Sequence, residues 1–286
     1  IEKGINHLDV APMYGKGEAE RVVGEVFKGR ELGGIKITTK CRLGTLPDEE
    51  VYDRLNTSLN KSLDNLNMEK VDLFLLHSQL REDDFQLYTL NEYRETNTTS
   101  LSCYYNSVIP AFERLKKEGK IGSWGIGGLG QNNAIIQAIN HETKPEAIQC
   151  VINPLNSGGA IGYVDADYNP NSILKESRKA RIPILGIRAV QAGALTKKMD
   201  REPHESGFDI KDFEDYDRAK PFRALAGEWE ISPSLLAHRY ALSAEEVSSV
   251  ILGVKNRTEL LECIEAEVNG KLTIEQVAKI EEVLAN

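Results

Sequence analysis

The sequence predicts a parallel α/β fold, and among parallel folds an eight-stranded (β/α)8 barrel that lacks its first strand and most of its first helix. Two observations point there. Seven short apolar runs alternate with longer amphipathic stretches from Ile5 to Leu252, and parallel neighbours need such a crossover between them. Reactive side chains follow the first three runs, which is where a parallel barrel keeps its chemistry. A doubly wound sheet would share the first feature. A barrel needs an eighth strand, expected ahead of Ile1, because Ile1-Glu2-Lys3-Gly4 reads as the end of a helix stopped at Gly4.

In chain order, Ile5 to Val10 reads as a strand and Glu18 to Phe27 as a helix. Ile35 to Thr39 is a strand. Glu49 to Leu66 is a helix, because Val51, Leu55, Leu59, Leu63 and Leu66 recur on one face. A strand at Val71–Leu76 and a helix at Val108–Glu118, stopped at Gly119, come next. Then alternate strand Ile121–Ile126, helix Asn133–Asn140, strand Ala147–Ile152, helix Ser172–Ala180 and strand Ile182–Ile187. Helix Ser232–Ala241, strand Val247–Leu252 and helix Arg257–Glu267 complete the series. A last helix starts at Thr273, which has capping-box spacing to Gln276. Two long polar stretches, Gln79–Asn106 and Thr196–Asp217, are expected as loops. No repeat, linker or low-complexity segment divides residues 1–286, so one domain is expected.

The net charge of −9 leaves no basic footprint for nucleic acid or an anionic membrane. No apolar run approaches the roughly 18 residues of a membrane span, and no signal peptide is visible. Cys41, Cys103, Cys150 and Cys263 are widely spaced with no C-x-x-C pair. They are expected to be reduced thiols, with no zinc site, in a cytoplasmic protein.

Asp9 ends the first strand with Tyr14 five residues on, Lys40 ends the second and His77 the third. Singly, each has an ordinary reading: a turn aspartate, a buried phenol, a solvated lysine, a histidine at a core edge. At three successive strand ends they are expected to converge on one mouth. An ammonium beside a phenol favours the phenolate, and a carboxylate keeps the ammonium charged and in place. An imidazole can orient a substrate oxygen. The product is a general acid suited to protonating an alkoxide as hydride arrives at a carbonyl carbon, and hydride must come from a cofactor.

At these residues the chain resembles the aldo-keto reductases. Asp9-Val10-Ala11-Pro12-Met13-Tyr14-Gly15 is similar to that family's D-x-A-x-x-Y-G segment, Thr39-Lys40 to its lysine strand and Leu75-Leu76-His77 to its histidine strand. The likeness continues through Leu115–Gly122 to Val250–Gly253. It implies a barrel oxidoreductase that interconverts an aldehyde or ketone and an alcohol, with Asp9, Tyr14, Lys40 and His77 as its tetrad. The alternative it leaves open is a non-catalytic nicotinamide-binding regulatory subunit. It also implies that Gln149, Gly127, Gly128, Ile187 and Arg188 meet the cofactor, and that Gly253, Lys255, Asn256 and Glu262 hold its adenosine half. Three positions depart from the family pattern: Gly127-Gly128 replaces Ser-Asn, Ile187-Arg188 replaces an aromatic, and Glu259 replaces an arginine. Lys255 and Arg257 could meet a 2′-phosphate, so NADP(H) is expected over NAD(H).

Gly125-Ile126-Gly127-Gly128-Leu129-Gly130 spells G-x-G-x-x-G after a strand and before a helix, the fingerprint of a Rossmann fold. As the fourth strand of seven it is out of place for that fold. In a barrel these glycines are expected to let backbone approach cofactor or substrate. The walls of a small-molecule site are expected from 79–106 and 153–169, with Tyr104, Tyr105 and Tyr163 as lining candidates.

Overall fold

The computed structural model describes residues 1–85 and 95–285. The middle of the first long polar stretch, 86–94, lies outside the described residues. The chain divides into two compact units, Ile1–Ile148 and Gln149–Asn286.

In the first unit β1 (His7–Asp9), β2 (Lys36–Cys41), β3 (Val71–Leu76) and β6 (Ile121–Ile126) pair in that order, all parallel. The first residues of β7 (Ala147–Val151) then pair with β6, Gly125 opposite Ala147 and Ile126 opposite Ile148. The crossovers are α1 (Glu18–Phe27), α2 (Asp48–Leu66), α3 (Ile109–Lys117) and α4 (Asn132–Asn140). Helix α2 buries Val51, Leu55, Leu59, Leu63 and Leu66, as its spacing predicted. Three acids in its first turn suit the helix dipole, and Asn67 ends it at φ 52°. Phe112 stacks on Trp124 at 5.4 Å between centroids and meets Phe74 edge-on at 5.7 Å, all three fully buried.

Two expectations change in this unit. The helix expected from Val108 begins at Leu101, where Ser100 accepts the Cys103 amide. A π turn at Tyr104–Val108 joins the two pieces and buries both its end residues. The polar stretch before it holds β4 (Gln79–Arg81) and β5 (Thr98–Ser100), a parallel pair with Gln79 opposite Thr98. Thr98 and Thr99 are fully buried because their polar atoms are matched. Arg81 Nε donates to Thr98 Oγ1 at 3.1 Å, and Thr99 Oγ1 donates to the Gly44 carbonyl at 2.8 Å.

The second unit contains the rest of β7, then β8 (Ile184–Ile187) and β9 (Val247–Val250), neighbours in that order. β8 and β9 are parallel, and the Ile152 amide donates to the Ile187 carbonyl at 2.9 Å. Its helices are α5 (Pro170–Lys179), α6 (Ile210–Arg218), α7 (Lys220–Glu228), α8 (Pro233–Ser243), α9 (Arg257–Val268) and α10 (Ile274–Ala285). Phe222 and Leu225 of α7, Leu236 of α8 and Ile280 of α10 share one core. All seven expected strands therefore form. Helix α6 corrects the second loop expectation, since it occupies most of the tail of Thr196–Asp217. Its buried residues are Asp212 and Asp215, so no apolar stripe marks it in the sequence. Asp212 accepts from Arg188, Arg201 and the Ala160 amide, and Asp215 accepts from Gln191 and Arg218.

Candidate active site

Period two fixes which strand-end residues share a face. Asp9 lies opposite Thr38, and Lys40 is two residues beyond Thr38. Lys40 lies opposite Leu75, and His77 is two beyond Leu75. Asp9, Lys40 and His77 therefore point to one side of the sheet, at the carboxyl ends of their strands. The His77 amide continues the ladder to the Cys41 carbonyl at 2.7 Å. Tyr14 arrives by a turn: its amide returns to the Ala11 carbonyl at 3.0 Å. Gly15, Lys16 and Gly17 then take positive φ before α1 begins.

The side chains meet as the sequence predicted. Lys40 Nζ donates to Asp9 Oδ2 at 2.7 Å, to the Tyr14 hydroxyl at 3.1 Å and to the Val10 carbonyl at 3.1 Å. All three ammonium protons thus have acceptors. The Lys40 and Asp9 side chains are 1% and 7% exposed, whereas Tyr14 is 39% exposed. A buried ion pair therefore backs a phenol whose face opens to solvent. The His77 ring stands edge-on to Tyr14, with centroids 6.3 Å apart. The Val10 carbonyl is a site atom that residue identities could not reveal.

Burial, and then the positive charges of Lys40 and Arg42, push the His77 imidazole down to about 3. A folded value below the unfolded one means that the neutral ring is the form the fold favours. That contribution is present above about pH 6.5 and is lost as pH falls from there toward 3. In NMR titration the His77 ring should show no inflection between about pH 5 and 8. A midpoint near 6.5 would mean that the ring is not enclosed as described.

The motif glycines divide by role. A Cβ on Gly125 would come 2.1 Å from the Ala147 carbonyl oxygen, and one on Gly130 would come 2.1 Å from that of Leu80. These two glycines admit neighbouring protein backbone rather than a ligand, which corrects the expectation for them and accounts for the motif without a Rossmann fold. Gly127 bonds to the Leu76 carbonyl at the end of β6, one residue before His77 on the adjoining strand, and a Cβ there would have 3.4 Å of room. Gly128 takes φ 59°. Of the expected lining tyrosines, Tyr104 is fully buried and Tyr105 stacks on His141 at 4.4 Å.

The remaining expected residues lie in the second unit. Gln149 is buried in β7, and Ile187 ends β8. Arg188 takes φ 58°, and its guanidinium donates to Asp212 at 2.5 Å and to Gln191 at 2.9 Å. Gly253 has open space around it. Asn256 caps α9, Lys255 pairs with Asp200, and Glu262 accepts from Ser232 and Ser234. Sequence reasoning missed Asp200, Ser232 and Ser234, since nothing in their local pattern marks a partner so far along the chain. Within the second unit these residues fit a dinucleotide in part: Gly253 leaves room for close approach to its backbone, while the Lys255 and Arg188 side chains are already engaged.

Cys41, Cys103, Cys150 and Cys263 are buried and unpaired. Among the described residues no group of His, Cys, Asp and Glu could hold a metal ion, and no helix is long and apolar enough to cross a membrane.

A model of the Aldo/keto reductase family matches residues 1–285. An uncharacterised oxidoreductase of Bacillus subtilis, YqkF, is 26% identical over 98% of this chain and 84% of its own length. A putative voltage-gated potassium channel subunit beta of Schizosaccharomyces pombe is 25% identical over 98% of this chain and 80% of its own. Among solved structures, the holo form of the aldo-keto reductase AKR11C1 from Bacillus halodurans superposes with a TM-score of 0.70 at 22% identity. That match covers 99% of this chain and 83% of the other. At that identity the likeness speaks for the (β/α)8 fold alone.

Proposed function

The chain belongs to the aldo/keto reductase family, and on that premise we propose that it is a nicotinamide-dependent oxidoreductase in which Tyr14 exchanges a proton with the oxygen of a small carbonyl or alcohol substrate. The observation that carries this reading is the Lys40 ammonium within hydrogen-bonding distance of both Asp9 and Tyr14. A bound nicotinamide dinucleotide supplies hydride to the carbonyl carbon, or takes it in the reverse direction. As the carbon gains hydride, its oxygen gains the proton of the Tyr14 hydroxyl, and the phenolate left behind faces Lys40. Solvent reprotonates it through the exposed side of the ring. His77, neutral at working pH, donates a hydrogen bond that orients the substrate oxygen. Asp9 touches no reacting atom and acts as a positioning residue through Lys40.

For the cofactor we assign Gln149, Gly127, Gly128 and the backbone of Ile187 and Arg188 to the nicotinamide, and Gly253, Lys255, Asn256 and Glu262 to the adenosine half. These assignments rest on the resemblance. The whole chain is read as one such domain, and the four unpaired thiols support a reducing, cytoplasmic setting.

A second reading, a nicotinamide-binding regulatory subunit without turnover, is favoured by the similarity to the channel subunit. One assay separates the two. The chain is mixed with NADH or NADPH and a panel of aldehydes and ketones, and nicotinamide absorbance is followed. Oxidation that needs both chain and carbonyl is expected. Dinucleotide binding with no turnover across the panel, or with alcohols in reverse, would replace the first reading by the second.

A further inference from the structure

The start of α9 carries its own anion. Asn256 Oδ1 accepts the Glu259 amide at 3.0 Å, and Asn256 Nδ2 donates to Glu259 Oε1 at 2.9 Å. Glu259 Oε2 accepts the Lys255 amide at 2.8 Å. The Lys255 ammonium pairs with Asp200 and lies 3.7 Å from Glu259. Free amides at a helix start, with a cation beside them, are what a phosphate group needs. Here a side-chain oxygen holds the amide and two carboxylates hold the cation. An added phosphate would have to break the Lys255 pairs and stand against two like charges. A hydroxyl has the opposite requirement, because its O–H donates to a carboxylate.

Resting on the reading above that the adenosine half of a nicotinamide dinucleotide lies on this segment, we propose that the chain discriminates against a 2′-phosphate and takes NAD(H), with Glu259 and Asp200 as the specificity-determining residues. This reverses the preference predicted from Lys255 and Arg257. That prediction counted Lys255 and Arg257 as cations near the helix start but not Asp200, the carboxylate that reaches Lys255 from elsewhere in the fold.

Binding, not turnover, tests it. The whole chain is titrated calorimetrically with NADH and NADPH, and with ADP-ribose and its 2′-phosphorylated form. The unphosphorylated member of each pair should bind about tenfold more tightly or better. Exposed charge contacts are worth a few-fold each, and two carboxylates act together against a dianion. Raising the salt should shrink the ratio. Glu259→Gln combined with Asp200→Asn should bring it to about threefold or less by improving the phosphorylated ligands. Equal or tighter binding of the phosphorylated ligands by the unaltered chain would overturn the inference, whatever the variant does. If none of the four ligands binds, the dinucleotide reading itself is overturned.

Discussion

Tyr14→Phe should lower kcat/KM for carbonyl reduction by about a hundredfold or more, with the loss in kcat and dinucleotide affinity unchanged. The substitution removes one oxygen and keeps the ring, so the edge contact with His77 survives. Lys40 keeps two of its three acceptors, Asp9 and the Val10 carbonyl, and the fold should lose no more than about 1.5 kcal/mol. The proton donor to the developing alkoxide is what disappears. A loss confined to kcat is the signature of an interaction made only as the bond changes. Steady-state kinetics on both proteins, with cofactor affinity measured separately, makes the comparison. Equal kcat in the two would remove Tyr14 from the chemistry and leave the ion pair behind it unexplained.

The convergence of these side chains was readable in advance because strands impose period two. Once Asp9, Lys40 and His77 are placed at strand ends, the pleat decides that they share a face, and the apolar runs locate the ends. Those runs are most conspicuous where a strand is buried along its length: Leu73 to Leu76 of β3 and every residue of β7 are inside. The same logic fails where the buried face is polar. β5 hides threonines whose hydroxyls are satisfied by Gly44 and Arg81, and α6 hides aspartates paired with arginines. A pattern built on hydrophobicity cannot register either. It also fails for charges. Lys255 and Arg188 look available in the sequence, but Asp200 and Asp212 neutralise them from distant parts of the chain. The G-x-G-x-x-G run misleads for a related reason: the close neighbours of Gly125 and Gly130 are backbone oxygens of Ala147 and Leu80, invisible until the chain is folded.

Cutting the Lys40–Asp9 pair from either side should destabilise the chain far more than removing both charges together. Lys40→Met leaves the Asp9 carboxylate, whose side chain is 7% exposed, without its counter-charge. Asp9→Asn leaves a fully buried ammonium with only the Val10 carbonyl, the Tyr14 hydroxyl and an amide oxygen. Each single change should cost about 3–5 kcal/mol in denaturant unfolding, because an uncompensated charge stays buried. The double variant has no charge to strand, and a neutral pair of similar volume is often as stable as the ion pair it replaces. Its cost should therefore fall well below the sum of the two, so the coupling term of the cycle is large. Activity should follow the opposite rule. All three variants lack either the ammonium that faces the phenolate or the carboxylate that holds it, and the double variant should be no more active than Lys40→Met. A double variant that is stable yet inactive would mean that the fold does not need this pair and the chemistry does. If Lys40→Met instead unfolds within about 1 kcal/mol of the unaltered chain, a value typical of exposed pairs, then Asp9 is not held in the dry setting on which the general-acid argument rests.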